Sequence, residues 1–285
     1  MKLNEIRIRD PFILSDKKSN RYYLYGTTSM FDGLGFYCYT SQDLLNWDGP
    51  YKVFTPTKNF WGKHSFWAPE VNEINGEYYL TATFKSDCHH RCCQILKANS
   101  PLGPFEVYSD ILTPKDWESL DGTLYFEDDK PYMIFVHEWT QIVDGEICIV
   151  ELSKDLKKTI GEPITLFKAS SASWAQHPNW SKEEIYVADG PFVLNKDGEH
   201  PFLMWSSYLK NQYDIGYSIP LKNIKHPNYY HCEKPLPIKD AGHGMVFNDF
   251  NGNSYLVLHE DNSVADNEHP ILIPVKITEK SLEIL

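Results

Sequence analysis

The sequence predicts an all-β protein that folds as a single domain, a five-bladed β-propeller over residues 1–285. Three observations support this prediction. The chain contains 18 Tyr, 15 Phe and 8 Trp, and many of these aromatic residues lie in short alternating runs that favour strands. No stretch keeps the helical period of about 3.6 residues over several turns. Five segments with a similar pattern recur along the chain, and a repeated β-unit is typical of propellers.

Each repeated segment begins with a small or polar residue, continues as a short apolar strand, and reaches an aromatic strand through a polar turn. Aligning the starts of the segments matches five positions, which are Asp10, Ala68, Asp121, Asp189 and His243. Successive positions are separated by 58, 53, 68 and 54 residues, which fits blades of four strands with their loops. Five such blades account for the whole chain and leave no segment for a second domain.

Three dipeptides predict tight turns inside these repeats: Asn75-Gly76, Asp197-Gly198 and Asn251-Gly252. Each lies between the first apolar strand of its repeat and the aromatic strand that follows. We therefore expect a hairpin at the start of each of these blades.

Composition excludes several classes of partner. The formal net charge is −12 and no cluster of Lys and Arg is visible, so nucleic acid is not an expected partner and an anionic membrane surface is disfavoured. The longest apolar runs are far shorter than the roughly 20 residues that a membrane span needs. A neutral carbohydrate suits an aromatic-rich, net-acidic β protein, because the C–H faces of sugars stack on aromatic rings.

The first residues contain no apolar segment and no small-residue cleavage site, so the expected location is the cytoplasm. A chain of this length can bury a core without disulfide bonds, and we expect its cysteines to be reduced thiols. The six cysteines are Cys38, Cys88, Cys92, Cys93, Cys148 and Cys232. The sequence makes no prediction of oligomeric state.

Propeller geometry gives the aligned positions a common location, because the first strand of every blade lines the central channel. Three carboxylates and a histidine are therefore expected at one end of the channel: Asp10, Asp121, Asp189 and His243. A single aspartate at such a position would more often serve a turn or cap. Three together raise one another's pKa and cost stability, which indicates acid–base chemistry.

Five motifs, in order and at blade spacing, resemble those of glycoside hydrolase family 43. They are Arg9-Asp10-Pro11, Trp67-Ala68-Pro69-Glu70, Leu120-Asp121-Gly122, Asp189-Gly190-Pro191 and Gly242-His243-Gly244. The segment from Ser100 to Phe105 is also typical of that family, and the resemblance covers essentially the whole chain. It implies an inverting hydrolase of plant-type polysaccharide or oligosaccharide, most often an α-L-arabinofuranosidase or a β-xylosidase.

By this resemblance Asp10 is the general base, Asp121 orients the acid and raises its pKa, and Asp189 stands in the position of the acid. The family's usual acid is glutamate, so the carboxyl of Asp189 is one methylene closer to the backbone. Three outcomes are open. The backbone comes closer to the substrate, or Glu138 or Glu70 protonates the leaving group, or the protein binds sugar with little hydrolysis.

Further residues are candidates for contact with the sugar. Those predicted to bind substrate are Trp67, Glu138, Trp139, Trp205 and His243, with Trp61, Trp174 and Tyr208 as further aromatic candidates. No cofactor is required for the implied reaction. His243 is also a candidate ligand of a calcium ion in the central channel. The segment Cys88–Cys93 has the wrong spacing for a zinc site, so we interpret it as a polar loop at the rim of the channel.

Two alternatives to hydrolysis remain. A related inverting phosphorylase would need a cluster of basic residues around the channel, and the sequence offers only Arg9, Lys85 and Arg91 as candidates. A sugar-binding propeller with weakened catalysis would fit the unusual aspartate at position 189.

Overall fold

Five four-stranded antiparallel sheets, each formed by consecutive strands, arise from the repeated segments in the computed structural model. The structure describes residues 1–28, 34–194, 200–264 and 267–285. Blade one contains β1 (Arg9–Asp16), β2 (Arg21–Thr27), β3 (Phe36–Ser41) and β4 (Asp48–Phe54). Blade two contains β5 (His64–Ile74), β6 (Glu77–Ser86), β7 (His89–Ala98) and β8 (Glu106–Ile111). Blade three contains β9 (Ser119–Glu127), β10 (Lys130–His137), β11 (Glu146–Leu152) and β12 (Thr159–Lys168).

Blade four contains β13 (Asp189–Leu194), β14 (Phe202–Leu209), β15 (Gln212–Pro220) and β16 (Tyr229–His231). Blade five contains β17 (Ala241–Asn248), β18 (Ser254–Glu260), β19 (His269–Ile277) and β20 (Leu282–Ile284). The helical content of the described residues is one short helix, α1 (Trp139–Ile142), and two 3₁₀ turns, Leu3–Glu5 and Ala169–Ser171. The prediction of an all-β, five-bladed propeller is confirmed.

The predicted hairpin turns agree with the structure where they are described. Asn75-Gly76 joins β5 to β6, and Asn251-Gly252 lies between β17 and β18. Asp197-Gly198 lies outside the described residues. All six cysteines are free thiols, and Cys88 alone among them is exposed. No helix in the described ranges is long and apolar enough to cross a membrane.

The innermost strand of each blade has a pairing irregularity near its start, and a residue there adopts a left-handed backbone. These residues are Asp10, Ala68, Asp121, Gly190 and His243, with φ values of 51°, 46°, 56°, 51° and 44°. Bulges of this kind redirect side chains, and left-handed non-glycine residues are concentrated at functional sites. The sequence alignment was therefore wrong by one residue in blade four, where Gly190 and not Asp189 occupies the equivalent position.

A ring of hydrogen bonds between neighbouring blades fixes these residues around the axis. In four links the backbone N–H of the left-handed residue donates to a side chain of the preceding blade: Ala68 to Thr27 Oγ1 (2.8 Å), Asp121 to Thr83 Oγ1 (2.9 Å), His243 to Ser206 Oγ (2.8 Å) and Asp10 to His259 Nδ1 (3.2 Å). In blade three the equivalent acceptor position is Val136, which offers no acceptor. The N–H of Gly190 donates instead to Asp121 Oδ2 at 2.9 Å. The ring thus satisfies buried donors and draws Asp121 toward blade four.

Aromatic side chains fill the spaces between blades. Phe36 and Phe54 of blade one pack with Phe66 and Phe84 of blade two at centroid distances of 5.9–6.3 Å. All four rings are buried. Most aromatic residues therefore stabilise the propeller, and only those that remain exposed near the channel mouth are available to a ligand.

Candidate active site

Asp10 is held as a carboxylate by its neighbours. Its side chain is buried, Thr27 Oγ1 donates to Oδ2 at 2.6 Å, and His243 Nδ1 lies 3.1 Å from Oδ1. Burial alone would raise the pKa of Asp10, but the charges of His243 and Arg9 outweigh it, and the pKa is lowered. An ionised carboxylate at the channel mouth can accept a proton from water, which is what a general base requires.

Asp121 lies between Asp10 and the segment that carries Asp189. Its Oδ2 accepts the N–H of Gly190 at 2.9 Å and lies 3.6 Å from His243 Nδ1. Burial and the charge of Asp10 raise the pKa of Asp121 well above its ordinary value. Because Gly190 directly follows Asp189, this carboxyl group positions the backbone from which the side chain of Asp189 extends.

Asp189 is the first residue of β13 and is partly exposed at the mouth. Burial, followed by the negative charge of Asp121, raises the pKa of Asp189 to about 7, and Glu138 adds to the increase. The hydroxyl of Tyr213 donates to Oδ2 at 3.1 Å. Asp189 therefore carries a proton at pH values below about 7, where an ordinary aspartate is ionised, and can act as a general acid.

His243 completes this group of residues, named here the axial cluster: Asp10, Asp121, Asp189 and His243. The ring packs directly on Gly190, where an added Cβ would lie 2.7 Å from Cδ2 of the imidazole. Its Nδ1 faces the carboxyl groups of Asp10 and Asp121. Within the described residues, no three His, Cys, Asp or Glu side chains are arranged to hold a metal ion. No set of metal-binding side chains therefore supports a calcium ion beside His243, and this ion stays a prediction.

A second charged group, the rim cluster, lies at the same end of the blades and consists of Lys85, His90, Arg91, Glu118 and Glu138. Glu118 accepts from Lys85 Nζ at 2.7 Å and pairs with His90 Nδ1 at 2.8 Å. The N–H of Arg91 also donates to Glu118, at 3.0 Å. Although burial opposes the change, these partners lower the pKa of Glu118 to about 2. The segment Cys88–Cys93 supplies His90 and Arg91, but only Cys88 lies in a turn. Residues His89 to Cys93 begin β7, so the prediction of a polar loop was wrong for most of the segment.

Glu138 belongs to the rim cluster and not to the axial cluster. Arg91 Nε donates to Glu138 Oε2 at 2.8 Å, and Thr140 Oγ1 donates to the same oxygen at 2.7 Å. Burial raises the pKa of Glu138, while Arg91 counteracts that effect. These partners hold the carboxylate in place beside Asp121 and Asp189, where its charge favours the protonated form of Asp189.

Aromatic side chains flank the two clusters. The guanidinium carbon of Arg91 lies 5.1 Å from the ring centroid of Trp67, which is partly exposed. On the other side, Trp139 contacts Trp180 at 5.7 Å, and Trp180 contacts Tyr208 at 5.6 Å. Trp180 is 52% exposed and bridges blades three and four. These rings offer a surface on which a sugar can stack.

Trp205 was a wrong candidate for substrate contact. Its side chain is fully buried, its Nε1 donates to Ser218 Oγ at 2.8 Å, and its ring packs against Trp174 at 4.8 Å. Strand alternation explains the error, because the neighbouring Ser206 reaches the axis while Trp205 points into the space between blades.

Two residues of the site were missed by sequence reasoning. Trp180 lies in the loop between β12 and β13, away from the strand ends that the repeats identify, and Tyr213 lies on a third strand. The register error in blade four had a usable signal, since a proline follows Asp10, Ala68 and Gly190 alike.

All three basic candidates near the channel have carboxylate partners. Arg9 donates to Glu268 Oε1 at 2.8 Å and to Asn262 Oδ1 at 3.0 Å. Lys85 and Arg91 are paired within the rim cluster. These cations are already engaged, which is unfavourable for binding an inorganic phosphate.

Comparison with known proteins supports the fold and identifies a family. The sequence model of one family, Glycosyl hydrolases family 43, matches residues 4–280. An endo-arabinase from Bacteroides thetaiotaomicron VPI-5482 is 37% identical, with 98% of this chain and 97% of that chain covered and a TM-score of 0.90. A thermostable family-43 glycoside hydrolase is 24% identical, with coverages of 97% and 92% and a TM-score of 0.83.

A curated relative from Butyrivibrio fibrisolvens, named "Xylosidase/arabinosidase", is 25% identical over 206 residues. The match covers 67% of this chain but 37% of that relative, so the chain spans little more than a third of its length.

Proposed function

Because the chain belongs to glycosyl hydrolases family 43, we propose that it hydrolyses glycosidic bonds with inversion at the anomeric carbon. One observation carries the proposal: two carboxyl groups of the axial cluster lie in environments that shift their pKa values in opposite directions. The pKa of Asp10 is lowered, whereas that of Asp189 is raised to about 7. An inverting hydrolase needs such a pair, one group to deprotonate water and the other to protonate the leaving group.

The proposed reaction is a single displacement at the anomeric carbon. A water molecule attacks the anomeric carbon and gives a proton to Asp10, while the bond from that carbon to the leaving oxygen breaks. Asp189 donates its proton to the leaving oxygen. The products are a free sugar of inverted configuration and an alcohol, and solvent then restores the proton to Asp189 and removes one from Asp10.

The proposed substrates are pentose-containing glycans, with α-L-arabinofuranosides first and β-D-xylosides second. The names of the related endo-arabinase and Xylosidase/arabinosidase support this order. The net charge of −12 and the aromatic surface formed by Trp139, Trp180 and Tyr208 favour a neutral sugar over an anionic one.

The two alternatives have less support. A phosphorylase requires free cations for phosphate, and Arg9, Lys85 and Arg91 are paired with carboxylates. A binding propeller requires that Asp189 be a poor acid, but the raised pKa of Asp189 is suited to proton donation near neutral pH.

The test combines a substrate panel with product stereochemistry. Nitrophenyl α-L-arabinofuranoside and β-D-xyloside, and the matching oligosaccharides, are incubated with the protein, with and without phosphate. Proton NMR during the first minutes identifies the anomer that is released. We expect an inverted free sugar and no dependence on phosphate. Retention of configuration, a sugar phosphate product or the absence of turnover on every substrate would contradict the proposal.

A further inference from the structure

A tyrosine from the third strand of blade four contacts the carboxyl group of Asp189. The hydroxyl of Tyr213, on β15, donates to Asp189 Oδ2 at 3.1 Å. No hydrogen bond to Oδ1 is formed by any residue in the described ranges. The two oxygens of this carboxyl group are therefore in different environments, because Oδ2 accepts a hydrogen bond and Oδ1 has no donor among the described residues.

Packing fixes the position of the tyrosine ring. The ring is buried, stacks on His259 with a centroid distance of 5.7 Å and an interplanar angle of 22°, and contacts Tyr208 at 5.3 Å. Gly242 lies against its edge, where an added Cβ would be 2.5 Å from Cε1. The hydroxyl consequently has little freedom, and its contact with Asp189 is built into the core of the blade.

An acid on a short side chain benefits from such a contact. A hydroxyl that donates to Oδ2 disfavours a proton on that oxygen, so the proton of the neutral carboxyl resides on Oδ1. When the proton leaves, the same hydroxyl donates to a full carboxylate, and hydrogen bonds to charged acceptors are the stronger ones. The contact therefore orients the acid before proton transfer and stabilises it afterwards.

We propose that Tyr213 is a positioning residue for the acid: its hydroxyl holds Oδ2 of Asp189 and keeps the transferable proton on Oδ1. This inference rests on the proposed function, in which Asp189 protonates the leaving group. The contact fixes the orientation of an aspartate that stands where the family resemblance leads one to expect glutamate.

Other groups also act on the carboxyl of Asp189. The titratable and charged residues that face it from the surrounding elements are Asp121 of β9, Glu138 after β10, Tyr208 of β14, Tyr213 of β15 and His243 of β17. The substitution Tyr213→Phe leaves all the others in place and keeps the ring that packs on His259. It removes only the hydroxyl, so its effect on Asp189 can be attributed to the hydrogen bond.

The kinetic test compares leaving groups across pH. In Tyr213→Phe we expect kcat/KM for an oligosaccharide to fall about tenfold or more, and for a nitrophenyl glycoside of the same sugar by less than about threefold. The upper limb of the pH profile should move to higher pH by about one pH unit, because the bond that favoured ionised Asp189 is lost. Equal losses on both substrates with an unmoved upper limb would overturn the inference.

Tyr217→Phe is the matched control, because Tyr217 lies on the same strand and no described residue hydrogen-bonds its hydroxyl. It should leave the profile and the leaving-group dependence unchanged.

A second readout does not depend on turnover. The carboxyl carbon of Asp189, identified by its loss in Asp189→Asn, is titrated by ¹³C NMR in the wild type and in Tyr213→Phe. A higher midpoint in Tyr213→Phe supports the inference, and an unchanged or lower midpoint overturns it. If the midpoint is higher in Tyr213→Phe than in the wild type but the wild type cleaves no glycoside, the proposed function is contradicted, whereas the contact between Tyr213 and Asp189 is supported.

Discussion

The axial cluster and the rim cluster lie at the same mouth of the propeller, yet the pKa of Glu118 in the rim cluster is lowered, whereas those of Asp121 and Asp189 in the axial cluster are raised. In the rim cluster, Lys85 and Arg91 balance Glu118 and Glu138, and the pKa of Glu118 is lowered to about 2. In the axial cluster, His243 faces the carboxyl groups of Asp10 and Asp121, and Arg9 and His259 also act on Asp10. The pKa values of Asp121 and Asp189 are nevertheless raised.

The difference shows that the ratio of cations to carboxylates separates a supporting site from a reactive one. Both clusters contain carboxyl groups and a histidine, but only the rim cluster contains Lys or Arg. A balanced cluster holds its charges in fixed geometry, and Arg91 uses this geometry to support Trp67 and Glu138. An unbalanced cluster must keep a proton on one of its carboxyl groups near neutral pH, and that proton is available for catalysis.

The largest expected effect comes from removing the ionised member of the axial cluster. Asp10→Asn should reduce kcat by about 10³-fold on nitrophenyl glycosides and oligosaccharides alike, because both need an activated water. Binding of oligosaccharide, measured by calorimetry, should persist since the amide has nearly the same shape. A variant that keeps near wild-type kcat on either substrate would show that Asp10 is not the base.

A selective effect is expected from the protonated member. Asp189→Asn should reduce kcat/KM on oligosaccharides by about 10²–10⁴-fold more than on nitrophenyl glycosides, because nitrophenolate leaves with little protonation. Steady-state kinetics on the two substrate classes measure this gap. If both classes lose activity equally, Asp189 is not the acid, and Glu138 becomes the next residue to substitute.

A substitution in the rim cluster should change the catalytic rate least. Its clear effect should be on the free energy of unfolding. Glu118→Gln should lower the free energy of unfolding at pH 7 by about 2 kcal/mol, since Lys85 loses its buried partner. The pKa of Glu118 is lowered to about 2, from the 4.5 that is usual for a glutamate. The stabilisation is therefore present above about pH 4.5 and is lost as the pH falls toward 2.

Urea unfolding at pH 7 and at pH 3 measures this difference. Glu77→Gln is the control, because Glu77 pairs with Lys97 at 2.7 Å in an exposed position, and such pairs contribute little. A loss in Glu118→Gln no greater than in Glu77→Gln would contradict the distinction between the two clusters.

The sequence predicted the fold and most of the axial cluster because both repeat with the blades. The motifs around Asp10, Asp121 and His243 recur at blade spacing, and the structure gathers these side chains as expected. Asp189 was aligned by residue type, whereas the left-handed conformation belongs to Gly190, one position later. Residue type and backbone conformation diverge at this point, and the signal that reveals it is the proline that follows Asp10, Ala68 and Gly190.

The rim cluster could not be predicted as a unit. Its charges come from one hairpin and from residues on either side of another, and no repeat relates Arg91 to Glu118 or Glu138. Trp205 failed as a candidate for a related reason. The repeats place a residue near a strand end, but only the packing between blades decides whether its side chain faces the channel or the core.

The central claim is that Asp10 and Asp189 work as an ionised base and a protonated acid, and the pH dependence of kcat/KM tests it most directly. The wild type is measured on two substrates that carry the same sugar at the cleaved bond. In one substrate the leaving group is a second sugar, and in the other it is nitrophenol. We expect the rate with the sugar leaving group to fall as the pH rises through about 7, where Asp189 loses its proton, while the nitrophenyl substrate keeps its rate. At acid pH, where Asp10 becomes protonated, the rates with both leaving groups should fall. Two profiles that fall together above pH 7, or a sugar profile that stays flat there, would contradict the claim.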